Sequence, residues 1–210
     1  METEIAKLLL KIKAVFLSPN VPFTWASGIK SPIYCDNRLI LSYPDVRTQV
    51  EKGLAALITK NYPATEAVFG TATAGIAHAA IVADILKMPM GYVRNSSKDH
   101  GRNNQIEGRI VPKTKVVIIE DLISTAGSVC EIVSVLRDAD VEVLGIVSIF
   151  TYGMQKGYDK LLETNITNIS LTNFNCLIKV AAKEGYISTK DIDKCIAFQK
   201  QPDSLEWMSM

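Results

Sequence analysis

The chain has 210 residues, of which 48% are hydrophobic, and its 23 basic side chains outnumber the 22 acidic ones by a single charge. A chain so close to neutral has no general electrostatic attraction to nucleic acid, so we expect no nucleic-acid partner. No apolar run is long enough to span a membrane, so we expect no membrane partner either. The length and apolar content suffice for one substantial core, which predicts a single domain over residues 1–210.

The cysteines and histidines argue against a structural metal site and against a disulfide framework. The four cysteines show no metal-ligand spacing, and the chain has only two histidines. A chain of this size also folds without disulfides. Residues 1–13 alternate charged and apolar side chains, as an amphipathic helix does, and lack the continuous apolar segment of a signal peptide. We therefore predict reduced thiols and a cytoplasmic location.

Strand and helix patterns alternate after this first helix. The predicted strands are Ala67–Phe69, Met90–Val93, Val116–Ile119 and Val141–Phe150. The predicted helices are Pro44–Asn61, Gly75–Lys87, Val129–Arg137, Leu177–Glu184 and Thr189–Gln199. Residues 95–108 carry no core pattern, and so long a loop inside a compact domain is usually functional or mobile. The alternation predicts an α/β fold with a mainly parallel open sheet flanked by helices on both faces.

The segment from residue 116 to residue 128 has two features that suit a sugar phosphate. Glu120 and Asp121 follow four apolar strand residues, and the small residues from Ser124 to Ser128 lead into a helix. Ligands of open α/β sheets bind at the carboxyl ends of the strands. Small residues let backbone N–H groups close around a phosphate, and the helix N-terminus adds partial positive charge. The carboxylates suit hydroxyl groups or a metal on the same ligand. The alternative is an ordinary strand with a solvated acidic turn.

A second loop of small residues, from Gly70 to Gly75, also joins a strand to a helix. Its glycine spacing matches that of an ATP-binding P-loop, but Ile76 and Ala77 stand where that motif requires a lysine and a hydroxyl residue. The chain also lacks the Gly-x-Gly-x-x-Gly motif of dinucleotide-binding folds. The loop is therefore a candidate anion site without a lysine, and a tight turn that needs glycine for its backbone is the alternative.

Three potential cations, Arg94, Lys98 and His100, lie within seven residues. The preceding strand brings Arg94 to the same sheet edge as the two small-residue loops. Cations delivered there by a closing loop would stabilise a leaving group whose negative charge grows as its bond breaks, and would exclude water. A solvated surface cluster is the alternative.

These segments together resemble the type I phosphoribosyltransferases, whose substrate is phosphoribosyl pyrophosphate (PRPP). The resemblance implies that the acidic pair holds the ribose 2- and 3-hydroxyls, that the small loop from Ser124 to Ser128 holds the 5-phosphate, and that the loop 70–75 holds the pyrophosphate. The residues that it assigns to PRPP are Thr71, Ala72, Thr73, Ala74, Gly75, Arg94, Lys98, His100, Glu120, Asp121, Leu122, Ile123, Ser124, Thr125, Ala126, Gly127 and Ser128.

The cationic loop and the N-terminal region narrow the resemblance to the orotate phosphoribosyltransferases. Arg94, Lys98 and His100 match that family's catalytic loop, which implies that they are catalytic. Residues 23–36 are similar to its hood motif, Phe-x-x-x-Ser-Gly-x-x-Ser-Pro-x-Tyr-x-Asp. The resemblance implies a hood formed mainly by residues 18–40 on a core of about 44–157. The residues that it assigns to orotate are Ser124, Lys30, Tyr34 and Cys35.

The chain departs from the family pattern at two positions. Many relatives carry a second lysine directly after the arginine of the catalytic loop, where this chain has Asn95. Several carry a substrate-binding lysine at the position of Ala26, so that role is vacant or passes to Lys30.

The resemblance implies the transfer of the phosphoribosyl group from PRPP to N1 of orotate, which gives orotidine 5-phosphate and pyrophosphate in UMP biosynthesis. It also implies a homodimer in which the loop 95–108 reaches the partner's site. We expect Mg²⁺ to arrive with PRPP and water, with no residue dedicated to the metal, because Mg²⁺ binds chiefly through substrate phosphates. Two rivals stay open: a purine phosphoribosyltransferase, which should lack the hood motif, and a PRPP-sensing regulator, which should carry a nucleic-acid-binding module or a broad basic face.

Overall fold

Strands and helices alternate through most of the chain, and the computed structural model describes residues 1–25, 27–94 and 105–210. The strands are β1 (Val15–Leu17), β2 (Phe23–Thr24), β3 (Lys30–Ser31), β4 (Ile33–Cys35), β5 (Ala67–Thr71), β6 (Met90–Val93), β7 (Ile106–Glu107), β8 (Lys115–Ile123), β9 (Glu142–Thr151) and β10 (Asn168–Asn173). The helices are α1 (Glu2–Lys11), α2 (Pro44–Asn61), α3 (Ala74–Leu86), α4 (Gly127–Asp138), α5 (Gln155–Glu163), α6 (Phe174–Lys183) and α7 (Asp191–Lys200). Within the described residues, 3-10 helices cover Asn37–Ser42 and Glu206–Ser209.

The central sheet has six strands in the order β10-β9-β8-β5-β6-β7. Every neighbouring pair is parallel except β6 and β7, which run antiparallel at one edge. The prediction of an α/β fold with a mainly parallel sheet is therefore confirmed. In this order β8 and β5 lie side by side at the centre, so the loops that follow them share one edge of the sheet.

Two apolar clusters, one on each face, hold helices against this sheet. Val117 and Ile119 pack into the larger cluster, together with residues of α1, α2, α3, α6 and α7. Val116 and Ile118 pack into the smaller cluster, which α4 covers. Successive residues of a strand point to opposite faces, so an uninterrupted apolar run is what a strand buried on both faces requires.

A hood of short N-terminal elements lies beside the sheet. In it β1 pairs with β4, and β2 pairs with β3, both antiparallel. The 3-10 helix Asn37–Ser42 then leads to α2, whose bounds are those that the sequence predicts. At the other end of the chain, α6 packs against α1 and α7.

Some boundaries differ from the sequence prediction. The signature strand does not end before the acidic pair: β8 continues to Ile123, because β9 pairs with it as far as Thr151. The following helix begins at Gly127, two residues earlier than predicted. Residues 105–108 are not wholly irregular, since β7 pairs with β6. Both α5 and β10 escaped prediction.

No helix in the described ranges combines the length and apolar character that a membrane span needs.

Candidate active site

The carboxyl ends of β8, β5 and β6 are tied together by hydrogen bonds between their loops. The Thr71 hydroxyl donates to Glu120 Oε1 at 2.7 Å, which joins the end of β5 to the acidic pair on β8. The backbone N–H of Ala72 donates to the Val93 carbonyl at 2.9 Å, which joins the same loop to the end of β6. The two candidate anion loops and Arg94 therefore lie at one edge of the sheet, as the sequence predicts.

The two carboxylates of the acidic pair have different surroundings. Glu120 is 8% exposed and accepts hydrogen bonds from Thr71 and from the backbone N–H of Asp121. Burial, reinforced by the neighbouring Asp121 carboxyl, raises the pKa of Glu120 to about 8. Asp121 is half-buried. A Glu120 that keeps its proton at neutral pH holds Thr71 and the loop geometry, while Asp121 is the member of the pair with access to a ligand.

The loop that follows β8 turns sharply and leaves room at the start of α4. Ala126 takes the left-handed conformation, with φ of 58°, and α4 begins at the next residue. A Cβ atom at Gly127 would meet no other atom within 4 Å. Thr125 and Ser128 are exposed, whereas Ile123 is buried, so Ile123 offers a ligand only its backbone. Open space in front of a helix N-terminus is the geometry that a phosphate group needs.

The glycines of the loop after β5 have a different role. A Cβ atom at Gly75 would lie 2.5 Å from the Ile119 carbonyl oxygen and 2.5 Å from the Thr71 hydroxyl oxygen. One at Gly70 would lie 2.7 Å from the Gly75 carbonyl oxygen. These glycines therefore let α3 start in direct contact with the strands. Ala72, Thr73 and Ala74, which are partly or fully exposed, are the part of this loop that a ligand can reach.

Arg94 does not stand apart as a surface cation. Its guanidinium Nη2 lies 3.2 Å from Glu107 Oε1, across the β6–β7 pair. Its backbone N–H donates to the Gln105 carbonyl at 2.9 Å, and the Gln105 side-chain amide donates back to the Arg94 carbonyl at 3.2 Å. Lys98 and His100, the other two predicted cations, lie outside the described residues, as do Asn95 and Ala26.

The hood side chains predicted to bind orotate fall into two groups. Tyr34 is 43% exposed and packs on Phe23 with ring centroids 5.9 Å apart. Burial, with the nearby Asp121 carboxylate, raises the pKa of the Cys35 thiol well above its usual value. Cys35 therefore lies near the acidic pair, and Tyr34 is the exposed aromatic side chain that precedes it in β4. Lys30 is exposed, and its ammonium donates to the Thr24 hydroxyl at 2.7 Å within the β2–β3 hairpin.

Comparison with known proteins supports a phosphoribosyl-binding role for this edge of the sheet. Residues 46–184 match the family model described as "Phosphoribosyl transferase domain". The chain is 52% identical over 209 residues to orotate phosphoribosyltransferase of Bacillus cereus (strain B4264), with 100% of both chains covered. It is 53% identical over 203 residues to the enzyme of that name from Listeria innocua, with 97% of each covered. The chain belongs to the orotate phosphoribosyltransferase family.

A solved member of the same family supports the assignment at the level of structure. The crystal structure of orotate phosphoribosyltransferase from Aeropyrum pernix superposes with a TM-score of 0.75 at 29% identity, covering 88% of this chain and 99% of that one. The resemblance read from the motifs is thus confirmed, and it extends over the C-terminal residues that the motifs leave unassigned.

Two residues that the motifs did not single out join the orotate phosphoribosyltransferase hood to the core. Asn37 is 1% exposed; its amide donates to the Asp121 carbonyl at 2.7 Å and accepts from the Cys35 thiol at 3.3 Å. Tyr152 follows β9, and its backbone N–H donates to the Ile123 carbonyl at 2.8 Å, beside Ser124. The rule that ligands bind at the carboxyl ends of strands would have drawn attention to Tyr152.

The described part of the chain contains no cluster of three or more histidine, cysteine, aspartate or glutamate side chains placed to hold a metal ion. The acidic pair still offers hard oxygen donors at the strand end, which suits Mg²⁺ held mainly by a substrate and water. Because Glu120 keeps its proton at neutral pH, Asp121 is the better candidate for contact with a metal-bound substrate.

Proposed function

We propose that this protein transfers the phosphoribosyl group of PRPP to N1 of orotate, forming orotidine 5-phosphate and releasing pyrophosphate. The observation that carries the proposal is the meeting, at one sheet edge, of an acidic pair with two small-residue loops that open helices. A sugar that bears a phosphate at one end and a pyrophosphate at the other matches that arrangement of sites. The names of the full-length relatives support orotate as the acceptor.

Each site residue then has a role set by its position. Asp121 accepts hydrogen bonds from the ribose hydroxyls, and Glu120 orients Thr71 from behind. The 5-phosphate takes the open space before α4, where Thr125, Gly127 and Ser128 supply backbone N–H groups. The pyrophosphate lies along Ala72 to Ala74 at the start of α3. These contacts fix the geometry of the substrate, so that the chain contributes mainly orientation and charge.

The catalytic cations would act on the leaving group. We propose that Arg94, Lys98 and His100 stabilise the negative charge that grows on pyrophosphate as the bond to C1 of ribose breaks. Arg94 already has a carboxylate partner in Glu107, so its contribution to pyrophosphate requires that it share or exchange this ion pair. Mg²⁺, bound through PRPP and water with Asp121 nearby, would supply additional charge neutralisation.

The remaining proposals concern the base and the assembly. Tyr34 and Cys35 would form a wall for the orotate ring, with Ser124 and Lys30 as donors.

We further propose a cytoplasmic homodimer in which the loop 95–108 completes the partner's site. We also propose a single domain in which the hood closes over a core that begins near residue 44. The free thiols of all four cysteines are compatible with a reducing compartment.

Loss of orotate absorbance in the presence of PRPP and Mg²⁺ tests the central proposal. Turnover with orotate, and none with adenine or hypoxanthine, is the expected result. Turnover with a purine base instead would support the rival purine phosphoribosyltransferase. PRPP binding without turnover of any base, together with a mobility shift of nucleic acid at low salt, would support the regulator.

A further inference from the structure

Tyr152 is held rigidly between the phosphate loop and the hood. Its backbone N–H donates to the carbonyl of Ile123, the residue before Ser124. Its ring packs edge-on against Trp25, with ring centroids 5.4 Å apart. Phe150 and Phe174 pack against the same ring at 5.3 and 6.1 Å. The residue is only 3% exposed. A side chain packed on all these sides has one orientation, which is what a substrate-binding group requires.

The C-terminal helix contributes to this placement. The Gln199 side-chain amide of α7 donates to the Tyr152 carbonyl at 2.5 Å and lies 3.4 Å from the Gly153 carbonyl. Phe198, the preceding residue, packs edge-on against Trp25 at 5.7 Å, and Trp207 packs on Phe198 at the same distance. The end of the chain thus fixes both the backbone of Tyr152 and the indole ring beside it.

The Tyr152 hydroxyl makes no hydrogen bond to the residues that the structure describes, and it keeps a small accessible surface. Burial, with the nearby Cys35 thiol and Tyr34 phenol, raises the pKa of this hydroxyl well above its usual value, so it stays protonated and can donate. Both neighbours are residues that the sequence assigns to the base. A hydroxyl that keeps access to solvent can bond a water molecule and exchange it for an acceptor on a ligand.

We propose that Tyr152 is a further substrate-binding residue, whose hydroxyl donates a hydrogen bond to an oxygen of the pyrimidine base while its ring closes the base pocket beside Trp25. The proposal rests on the proposed function, because it takes orotate as the base. Its geometric basis is a ring fixed against Trp25 of the hood, one residue beyond the end of β9, with a hydroxyl that keeps access to solvent. Gln199 acts through Tyr152 as a positioning residue.

The Tyr152→Phe variant tests this by removing only the hydroxyl. Loss of one hydrogen bond to the base should raise the KM for orotate roughly tenfold and weaken binding of orotidine 5-phosphate, measured by calorimetry, by a similar factor. The KM for PRPP should change less than twofold. The melting temperature should stay the same or rise, because the hydroxyl has no protein partner to lose.

Tyr62→Phe is the matched control. The Tyr62 hydroxyl lies 3.1 Å from the Thr167 hydroxyl, and its ring adjoins Gly145 towards the amino-terminal end of β9, away from the site. This variant should lose a little stability and keep both KM values.

The outcomes separate the two proposals. Wild-type protein that fails to convert orotate would overturn the proposed function whatever the variant does. An active wild type with an unchanged orotate KM and unchanged orotidine 5-phosphate affinity in Tyr152→Phe would overturn the inference alone. A fall in the melting temperature larger than that of Tyr62→Phe would also overturn it, since the hydroxyl would then serve the fold.

Discussion

An added methyl group at Gly75 should damage the fold, whereas one at Gly127 should damage only the binding of PRPP. In Gly75→Ala the new carbon would lie 2.5 Å from the Ile119 carbonyl oxygen and 2.5 Å from the Thr71 hydroxyl oxygen. Carbon–oxygen contacts are ordinarily about 3.3–3.6 Å, so the methyl would be about 0.8 Å too close to two atoms. The Ile119 oxygen belongs to a central strand and has little freedom to move.

The expected cost follows from this overlap. Overpacking of an interior costs about 1–3 kcal/mol, and contact with a strand backbone belongs at the upper end of that range. A loss of about 3 kcal/mol in a chain of this size corresponds to a fall of roughly 6–12 °C in melting temperature. Gly127→Ala meets no atom within 4 Å, so its melting temperature should stay within about 2 °C of wild type.

Two measurements on the same proteins distinguish the two glycines. Thermal unfolding of the ligand-free variants gives the stability, and calorimetric titration with PRPP and Mg²⁺ gives the affinity. Gly127→Val fills the proposed 5-phosphate space and should abolish PRPP binding while it unfolds near the wild-type temperature. The reasoning fails if Gly75→Ala is as stable as wild type, or if Gly127→Val loses as much stability as Gly75→Ala.

Three further predictions concern charge. Lys98→Ala should reduce kcat more than it raises the KM for PRPP, because an interaction made chiefly in the transition state has that signature; a change confined to KM would make Lys98 a ground-state binding residue. Mixing Lys98→Ala with Asp121→Asn under subunit exchange should restore about a quarter of wild-type activity if the loop acts in trans, since half of the dimers are mixed and each has one intact site; no recovery despite proven exchange would mean that each loop serves its own subunit. Glu120, with its pKa raised to about 8, favours the folded state in its protonated form, so this contribution to the free energy of unfolding is present below pH 4.5 and declines as the pH rises towards 8. Urea unfolding at pH 5 and pH 8 should show wild type losing more stability than Glu120→Gln over that interval, with a slope difference of at most about 1.36 kcal/mol per pH unit, and parallel profiles would refute the assignment.

The parts of the fold that the sequence predicts are those in which local pattern and burial coincide. The apolar run Val116–Ile119 lies in a strand covered on both faces, and the periodic segment Pro44–Asn61 forms a helix with those bounds. The strand β10 escaped prediction because it is a short edge strand whose alternation rests on only two apolar residues, Ile169 and Leu171, between polar neighbours.

The site likewise contains residues that the sequence predicts and contacts that it does not. Residues within one loop, such as those from Ser124 to Ser128, are adjacent in sequence, so a motif captures them together. The Arg94–Glu107 ion pair forms only because β7 folds back on β6, and composition alone does not predict that pairing. Gln199 bonds to Tyr152 across 47 residues, a contact that depends on how the C-terminal helices pack on the core.

The bridge through Asn37 has a consequence for the effect of salt. Both of its hydrogen bonds, to the Asp121 carbonyl and from the Cys35 thiol, involve uncharged groups, and the amide is almost wholly buried. Dissolved ions screen exposed charges and have little effect on such neutral, enclosed contacts. The hood should therefore remain attached to the β8 strand at ionic strengths that weaken the attraction between the protein and a polyanionic substrate. High salt would then release the substrate while the hood and the β8 strand keep their relative positions.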